Sequence, residues 1–294
     1  MRLASVRTTE GIVLGVVDSG LTQVAVLESF DGSVDDVVRG IFSLEEVRTA
    51  ANEVEPVALS TVRLAPPLRR FNRDILCTGW NYLDHFLESS GKREGQDPPK
   101  MPDHPTFFTK GPDTVIGPYD AIAYDAELSA KWDYEAEIAI VIGRDGRSIP
   151  EEEALDHVFG YFLANDVSQR DLQRAYGGQW LKGKSVDATM PIGPWVTVAA
   201  EIDEVSLPIE CILNGEQMQR ATAADMAFSI PRILSELSRG MTLRAGDVVL
   251  TGTPSGIGNA REPAIYLKDG DEVVVRSAPL GELRNKVLAT SLVR

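Results

Sequence analysis

The sequence predicts an α+β protein that is mainly β, with a small N-terminal α/β domain and a larger C-terminal domain. Most of the chain consists of short runs of strand-forming residues separated by Gly and Pro, and few segments show a helical period. The consecutive Pro66 and Pro67 stop helices and strands alike, so they indicate a boundary between residues 1–68 and 69–294.

The N-terminal domain contains two strand-like runs, at residues 11–17 and 21–27, followed by helical patterns at residues 34–39 and 44–52. Ser43 precedes the second helical pattern, and Glu46 lies three residues later. This spacing lets each side chain bond the other residue's backbone N–H, which is typical of a helix start.

The C-terminal domain is predicted to contain several short strands and two helices. The clearest strand signals lie at residues 161–164, 209–213, 247–251 and 272–276. One helix is expected after Pro150, at residues 151–158, and the other at residues 230–239, where Gly240 suits the position after a helix end. An apolar stripe with helical spacing marks the second helix, at Ile230, Ile233, Leu234 and Leu237.

The chain of 294 residues has a net charge of −15, from 29 basic and 44 acidic side chains. No run of Lys and Arg stands out, so binding to nucleic acid or to an anionic membrane surface is not expected. An anionic substrate would be repelled at long range. Local basic groups or a metal ion would be needed to hold it.

Cysteine usage and the apolar segments indicate a cytoplasmic protein. No apolar run is long enough for a transmembrane helix, and the N-terminus lacks the apolar core of a signal peptide. Cys77 and Cys211 each lie in an apolar segment, which predicts buried free thiols in a reducing compartment.

Between residues 132 and 140, apolar residues alternate with acids, which is the two-residue period of a strand. A strand here would place Asp133, Glu135 and Glu137 on one face. Neighbouring carboxylates repel each other, so this face is expected either to be solvated or to surround a cation.

A further carboxylate, Asp166, ends the apolar run that begins at Tyr161. With Glu135 and Glu137 it would form a set of oxygen ligands without His or Cys, which suits Mg²⁺, Mn²⁺ or Ca²⁺. Spacing alone leaves the solvated sheet face open as the alternative, because Glu-x-Glu is a common pattern.

His85 has a carboxylate three residues further on, at Glu88. On one helical turn the two side chains would be neighbours. A carboxylate beside an imidazole orients it and raises its basicity, as a general base requires. A surface or capping histidine is the simpler alternative.

Polar and basic residues follow Asp166, and of these Arg170, Gln173 and Lys184 could hold a carboxylate and an enolate. An exposed charged turn is the alternative. Residues 178–185 also fit the phosphate-loop pattern. However, the required strand before the pattern and helix after it are missing, so nucleotide binding is not expected.

In their order along the chain, several segments resemble the fumarylacetoacetate hydrolase superfamily over residues 75 to about 290. Each segment alone is a weak signal, but the whole series in this order is specific to that family. The matching segments are Asn81-Tyr82 with His85 and Glu88, Phe108-Thr109-Lys110, Asp133-Tyr134-Glu135-Ala136-Glu137, Asn165-Asp166-Val167-Ser168 with Arg170 and Gln173, Gly183-Lys184-Ser185, Pro191 with Gly193-Pro194, Asn214-Gly215-Glu216 and Thr251-Gly252-Thr253-Pro254.

The resemblance implies a mixed β-roll catalytic domain and a homodimer. It implies Mg²⁺, or Mn²⁺ or Ca²⁺ in its place, on Glu135, Glu137 and Asp166, with Asp133 as a bystander or a support behind the ligands. It also implies that the His85–Glu88 pair sits on a lid, which the polar segment at residues 89–104 would suit.

Four further residues match substrate-contacting positions of the family, namely Arg170, Gln173, Lys184 and Thr253. Trp80 departs from the family pattern, which usually has a smaller or more flexible residue there. It is expected to narrow the pocket and to disfavour a large substrate.

The resemblance leads first to hydrolytic cleavage of a C–C bond in a 2,4-dioxo acid, such as an acylpyruvate or a diketo-deoxy sugar acid. His85, oriented by Glu88, would activate water, and the metal with Lys184 would stabilise a pyruvate enolate. Oxaloacetate decarboxylation and isomerisation of a hydroxymuconate-type diacid use the same enolate and are the alternatives. A binding protein that kept the fold without activity is the non-enzymatic alternative.

Overall fold

The computed structural model describes residues 1–89 and 98–293. The predicted α+β, mainly β fold class is confirmed, because strands supply both the large sheet and the sheet packed against it. Residues 90–97, the centre of the segment expected to follow the lid, lie outside the described residues. Within the described ranges, no helix combines the length and the apolar character needed to cross a membrane.

The first 65 residues contain short strands and two short helices. These are β1 (Arg2–Arg7), β2 (Ile12–Val17), β3 (Gln23–Val26), α1 (Val34–Val38), α2 (Leu44–Asn52), β4 (Val57–Ala58) and β5 (Arg63–Ala65). Helix α2 has the predicted bounds, and the side chains of Ser43 and Glu46 each bond the other's backbone N–H at its start. A signal this local fixes the helix wherever it lies in the fold.

The rest of the described chain is dominated by strands. They are β6 (Ile75–Gly79), β7 (Thr106–Lys110), β8 (Val115–Ile116), β9 (Ile122–Tyr124), β10 (Trp132–Asp133), β11 (Ala136–Ile142), β12 (Gly146–Arg147), β13 (Val158–Asn165), β14 (Ser168–Gln169), β15 (Met190–Val198), β16 (Pro208–Leu213), β17 (Glu216–Thr222), β18 (Thr242–Leu243), β19 (Val248–Leu250), β20 (Glu272–Ser277) and β21 (Gly281–Ala289). The α-helices are α3 (Leu83–Glu88), α4 (Arg170–Ala175), α5 (Leu181–Lys184) and α6 (Ile230–Ser238).

Short 3₁₀ helices connect these elements, at Leu59–Thr61, Pro112–Thr114, Glu151–His157, Ala199–Glu201, Glu204–Ser206, Ala223–Asp225 and Gly258–Ala260. The helix predicted at residues 151–158 is therefore 3₁₀ rather than α. Pro150 provides no side-chain cap for it, and a short uncapped segment is at the limit of α-helix stability. Helix α6 buries its predicted apolar stripe.

The large sheet has the strand order β4-β3-β2-β1-β15-β13-β11-β19-β6-β7, with β5 on β1 and β8 on β15. It is mixed, because β19 pairs parallel with β6 while β11 pairs antiparallel with β13 and β19. Strand β1 pairs with β15, so the first strands continue the sheet of the C-terminal region. The domain boundary at residue 68 stays a prediction.

Strand β11 lies at the centre of the fold, and all seven of its residues are buried. Ile138, Ile140 and Ile142 pack in the core shared with the five-stranded sheet β17-β16-β20-β21-β9. Ala139 and Val141 pack in a second core that includes residues of α1. A strand buried on both faces forms a rigid base for the acids at its start.

The prediction of a single strand at residues 132–140 is wrong, because the strand is interrupted between β10 and β11. The backbone N–H of Tyr134 donates to Asp133 Oδ1 (3.0 Å), and that of Glu135 donates to Asn165 Oδ1 (3.0 Å). Side chains thus satisfy the N–H groups that a continuous strand would have used in its ladder. Asp133 and the two glutamates therefore do not belong to one continuous strand, although Asp133 and Glu135 still contact the same guanidinium, that of Arg170.

Candidate active site

A cavity of about 410 Å³ lies beside the start of β11. Seven of the nine predicted site residues line it, namely His85, Glu135, Glu137, Arg170, Gln173, Lys184 and Thr253. The other two lie directly behind this lining, because Glu88 bonds His85 and Asp166 bonds Lys184. The structure thus brings together residues that are distant in the sequence.

Three carboxylates form the acidic centre of the site. One oxygen each from Glu135, Glu137 and Asp166 lies within 4.8 Å of the others. The exposed fractions are 5%, 1% and 0% in that order, so the solvated sheet face is excluded. Buried carboxylates this close together need compensating positive charge.

Backbone hydrogen bonds help to hold these carboxylates close together. Asp166 follows β13, and its N–H donates to the backbone oxygen of Glu135 (2.8 Å). The carboxylate of Glu137 accepts from the backbone N–H of Gly252 (2.7 Å), in the glycine-containing turn after β19. Three neighbouring strand ends, of β11, β13 and β19, therefore converge on the acids.

Two buried lysines bind the oxygens of Asp166. Lys110 Nζ donates to Oδ1 (2.8 Å), and Lys184 Nζ donates to Oδ2 (2.7 Å) and to Glu135 Oε2 (2.6 Å). Lys110 is not among the predicted site residues, although it lies in a segment that carries the family resemblance. Its position in that series was the available signal.

Arg170 lies at the start of α4 and completes the positive side of the site. Its guanidinium contacts Asp133 Oδ2 (2.8 Å) and Glu135 Oε1 (2.6 Å), and it donates to Gln173 Oε1 (3.2 Å). Asp133 is wholly buried and also accepts from the backbone N–H of Gly258 (2.7 Å). Asp133 therefore supports Arg170 and the 258–259 turn. Of the two roles expected for it, bystander or support behind the ligands, these contacts agree with the second.

The charges of the cluster shift the pKa values of its members in opposite directions. Burial and the neighbouring carboxylates of Asp166 and Glu135 raise the pKa of Glu137 well above the ordinary glutamate value. Burial alone would raise the pKa of Glu135, but the Lys184 and Arg170 charges lower it below its usual range. Burial would lower the pKa of Lys184, but the charges of Asp166 and Glu135 raise it. Lys184 is therefore a stable cation.

The donor set fits a hard divalent cation. Three buried carboxylates without His or Cys are the ligands that Mg²⁺ and Mn²⁺ prefer. The Lys184 ammonium already bridges two of them, which means that the arrangement attracts a cation to this position.

His85 and Glu88 form a bonded pair on α3. The distance between His85 Nδ1 and Glu88 Oε1 is 2.7 Å, and Glu88 Oε2 accepts from the backbone N–H of Gly256 (2.7 Å). Glu88 is thus fixed between the imidazole and the turn after Thr253. Because Nδ1 is engaged, Nε2 is the nitrogen left for proton transfer.

Aromatic rings also line the cavity. The Trp180 ring lies 4.7 Å from the Trp80 ring and 4.9 Å from the Phe108 ring, measured between centroids, with both pairs edge to face. Trp180 packs directly over Gly79, where a Cβ would approach its Cζ3 to 2.6 Å. We call Trp80, Phe108 and Trp180 the aromatic wall.

Comparison with known families and curated proteins gives consistent matches. The family model described as fumarylacetoacetate (FAA) hydrolase, C-terminal, matches residues 74–288. The chain is 42% identical over 231 residues to the oxaloacetate tautomerase YisK of Bacillus subtilis, which covers 78% of this chain and 74% of YisK. It is 36% identical over 280 residues to a mitochondrial oxaloacetate tautomerase of Rattus norvegicus, which covers 95% of this chain and 85% of that protein.

Solved structures match along almost the whole chain. A fumarylacetoacetate hydrolase from Exiguobacterium antarcticum has a TM-score of 0.84 and 34% identity, covering 99% of this chain and 100% of that one. A maleylpyruvate hydrolase from Sphingobium, solved with manganese(II) and pyruvate, has a TM-score of 0.80 and 27% identity at the same coverage.

Proposed function

This chain belongs to the fumarylacetoacetate hydrolase family, and from that premise we propose that it is a metal-dependent enzyme that interconverts the enol and keto forms of oxaloacetate. One observation carries the proposal. A histidine paired with a carboxylate and a cluster of fixed cations face the same cavity, and enolisation needs both a proton carrier and stabilisation of an enolate. The choice of oxaloacetate rests on the relatives that are oxaloacetate tautomerases.

Tautomerisation moves one proton between carbon and oxygen. In the keto-to-enol direction, His85 Nε2 takes a proton from C3 of the substrate. The C–H electron pair becomes the C2–C3 double bond, and the π pair of the C2 carbonyl moves onto its oxygen. That oxygen then takes the proton from the His85 imidazolium, which returns to its neutral form. Glu88 holds the imidazole in place and stabilises the positive charge that it acquires.

The remaining side chains bind the substrate and stabilise charge. Lys184 and Arg170 are cationic and face the cavity, so they attract the substrate carboxylates and the developing enolate. A divalent cation on Glu135, Glu137 and Asp166 would supply Lewis-acid stabilisation of the same negative charge. We propose Mg²⁺ or Mn²⁺ as that ion.

The direct test follows the ultraviolet absorbance of enol-oxaloacetate after it is mixed with the chain. We expect the decay to the keto form to be faster than the uncatalysed reaction, to slow with EDTA and to recover with Mg²⁺. Glu137→Gln should lose the effect, whereas Glu127→Gln, at an exposed site, should keep it. An uncatalysed rate with both Mg²⁺ and Mn²⁺ present would overturn the proposal.

Hydrolytic C–C cleavage is the second candidate, and the His85–Glu88 pair favours it because such a pair also activates water. A maleylpyruvate hydrolase shares the fold. The relatives with the higher identities support the oxaloacetate alternative better than this first expectation. Products separate the reactions, since tautomerisation preserves the carbon skeleton, hydrolysis of acetylpyruvate releases acetate, and decarboxylation of oxaloacetate releases CO₂.

The homodimer and the cytoplasmic location expected from the sequence stay predictions. Light scattering on the purified chain tests the first. A molar mass of twice the 32.0 kDa protomer is the expected result.

A further inference from the structure

Gln219 is a buried amide on β17 that contacts the candidate site from behind. Its exposed fraction is 1%. Its Nε2 lies 2.8 Å from Thr253 Oγ1 and 2.7 Å from the backbone oxygen of Pro254, and its Oε1 lies 3.0 Å from the backbone nitrogen of Ala136. This one side chain therefore joins the start of β11 to the turn after β19.

The backbone partners fix the orientation of this amide. The N–H of Ala136 can only donate, and the carbonyl of Pro254 can only accept. Gln219 must therefore present its oxygen to Ala136 and its NH₂ group to Pro254 and Thr253. In the opposite orientation, the amide oxygen would face the carbonyl oxygen of Pro254, and the NH₂ group would face the N–H of Ala136. Both buried contacts would then be repulsive.

The same reasoning fixes the hydroxyl of Thr253. Its Oγ1 lies 2.9 Å from the backbone oxygen of Ala136, which can only accept, so Thr253 donates its proton there. Its oxygen also accepts from Gln219. One lone pair is left, and Thr253 lines the cavity.

Close packing holds the turn against the strand that carries Gln219. Gly256 has a φ of +105°, and a Cβ at this position would lie 2.0 Å from the backbone oxygen of Met218. The turn therefore has two fixed contacts with β17, one through Gln219 and one through Gly256. Such a turn cannot easily rotate the Thr253 hydroxyl toward another partner.

We propose that Gln219 is a positioning residue that makes the Thr253 hydroxyl an acceptor toward the substrate. A carbonyl or carboxylate oxygen has no proton to offer to this group, whereas an enol hydroxyl has one. Thr253 thus receives a hydrogen bond from the hydroxyl on C2 of the enol, without proton transfer. This inference rests on the proposed function, because it assigns the enol form to the site.

Malate and succinate provide a matched pair of probes, because these four-carbon dicarboxylates differ by one hydroxyl on C2. Calorimetric titration of the full chain with Mg²⁺ present gives the ratio of their affinities. We expect the parent to prefer malate. Thr253→Val should lower the ratio about three- to tenfold, the usual effect of one hydrogen bond, and Thr253→Ser should keep it.

Gln219→Met tests the positioning role, since it keeps the volume and removes the N–H that fixes Thr253. We expect a lower ratio with little change in succinate affinity, a selective effect that general loosening of the site would not produce. An unchanged ratio in Gln219→Met overturns the role of Gln219. An unchanged ratio in Thr253→Val, or a parent without preference for malate, overturns the acceptor role, even if Gln219→Met does not fold.

The failure of the proposed function would look different. It would appear as a lack of oxaloacetate tautomerisation by the parent chain. Only this inference would be overturned if the parent accelerates tautomerisation but neither substitution changes the ratio of the malate and succinate affinities.

Discussion

The ammonium of Lys184 lies 2.6 Å from Oε2 of Glu135, inside the carboxylate cluster that is proposed to hold a metal ion. It also lies 2.7 Å from Oδ2 of Asp166. Lysine and a divalent cation therefore compete for the same oxygens, and the outcome of this competition can be measured.

Removing the lysine charge should strengthen metal binding. Lys184→Met leaves Glu135 and Asp166 without their shared ammonium. We expect Mn²⁺ affinity to rise by about tenfold or more, because the ammonium no longer competes with the metal ion for these buried oxygens, where charges attract each other more strongly than in water. Turnover should fall, because a cation that would stabilise the enolate is lost. Titration calorimetry measures the affinity, with Lys182→Met, at an exposed site, as the control. Weaker or equal Mn²⁺ binding would contradict the competition.

The titration of Glu137 should make the metal-free protein less stable as the pH rises. A group with a raised pKa contributes stability that is fully present below the ordinary glutamate value of about 4.3 and is lost as pH rises through the raised value. The shift of Glu135 has the opposite sign, so its contribution is lost only on acidification below that value.

Thermal unfolding in EDTA from about pH 5 to about pH 8 measures the Glu137 effect. The melting temperature of the parent should decline more steeply with pH than that of Glu137→Gln, whose amide oxygen can still accept from Gly252. Added Mn²⁺ should remove the difference in slope by compensating the charge in the parent. Parallel curves in EDTA would show that Glu137 does not titrate there.

Substitution of His85 should separate proton transfer from metal binding. His85→Ala removes the proton carrier and leaves the three carboxylates in place. We expect turnover of oxaloacetate to fall by about 10²–10⁴ while Mn²⁺ affinity stays within twofold of the parent, about the limit of resolution. His157→Ala is the matched control, because His157 bonds Arg144 away from the cavity. Near-parental turnover in His85→Ala would remove His85 from the mechanism.

The aromatic wall should depend on the missing side chain at Gly79. Gly79→Ala puts a Cβ 2.6 Å from Trp180 Cζ3, so the ring must move. Overpacking of this kind costs about 1–3 kcal/mol, and the displaced ring should change the tryptophan fluorescence and the relative kcat/KM for short and bulky 2-oxo acids.

Gly111→Ala is the control for Gly79→Ala, since a Cβ there meets its nearest atom, in Ser185, at an ordinary 3.6 Å. It should leave fluorescence and selectivity unchanged. If Gly79→Ala also leaves both unchanged, the position of Trp180 does not set the substrate preference, and the expected narrowing by Trp80 would lose its support.

Features with local causes were predictable from the sequence, and features with distant causes were not. The bounds of α2 follow from Ser43 and Glu46, which are three residues apart. The break before β11 depends on Asn165, 30 residues away, which captures the Glu135 N–H. Likewise, the role of Lys110 depends on Asp166, 56 residues further on. Only the order of motifs along the chain linked such distant partners.

The buried Arg170–Asp133 contact is another feature that could not be predicted from the sequence, because its two residues are distant along the chain. The alternating acids indicated a charged strand but not which acid would have a basic partner. Arg170 approaches Asp133 only because β10 pairs with β14, next to the start of α4. A one-dimensional pattern does not contain that pairing.

The charge balance of the cluster suggests an order of binding. Four buried carboxylates face three buried cations, and with Glu137 protonated the cluster is neutral; its members are Asp133, Glu135, Glu137, Asp166, Lys110, Arg170 and Lys184. A divalent ion that displaces the Glu137 proton leaves the cluster with a net charge of +1. The metal-loaded site would then attract a dianion, into a chain whose overall charge is −15, more strongly than the metal-free site, in which carboxylates balance the charges of Lys184 and Arg170. We therefore expect ordered addition, with the metal ion binding before the dicarboxylate.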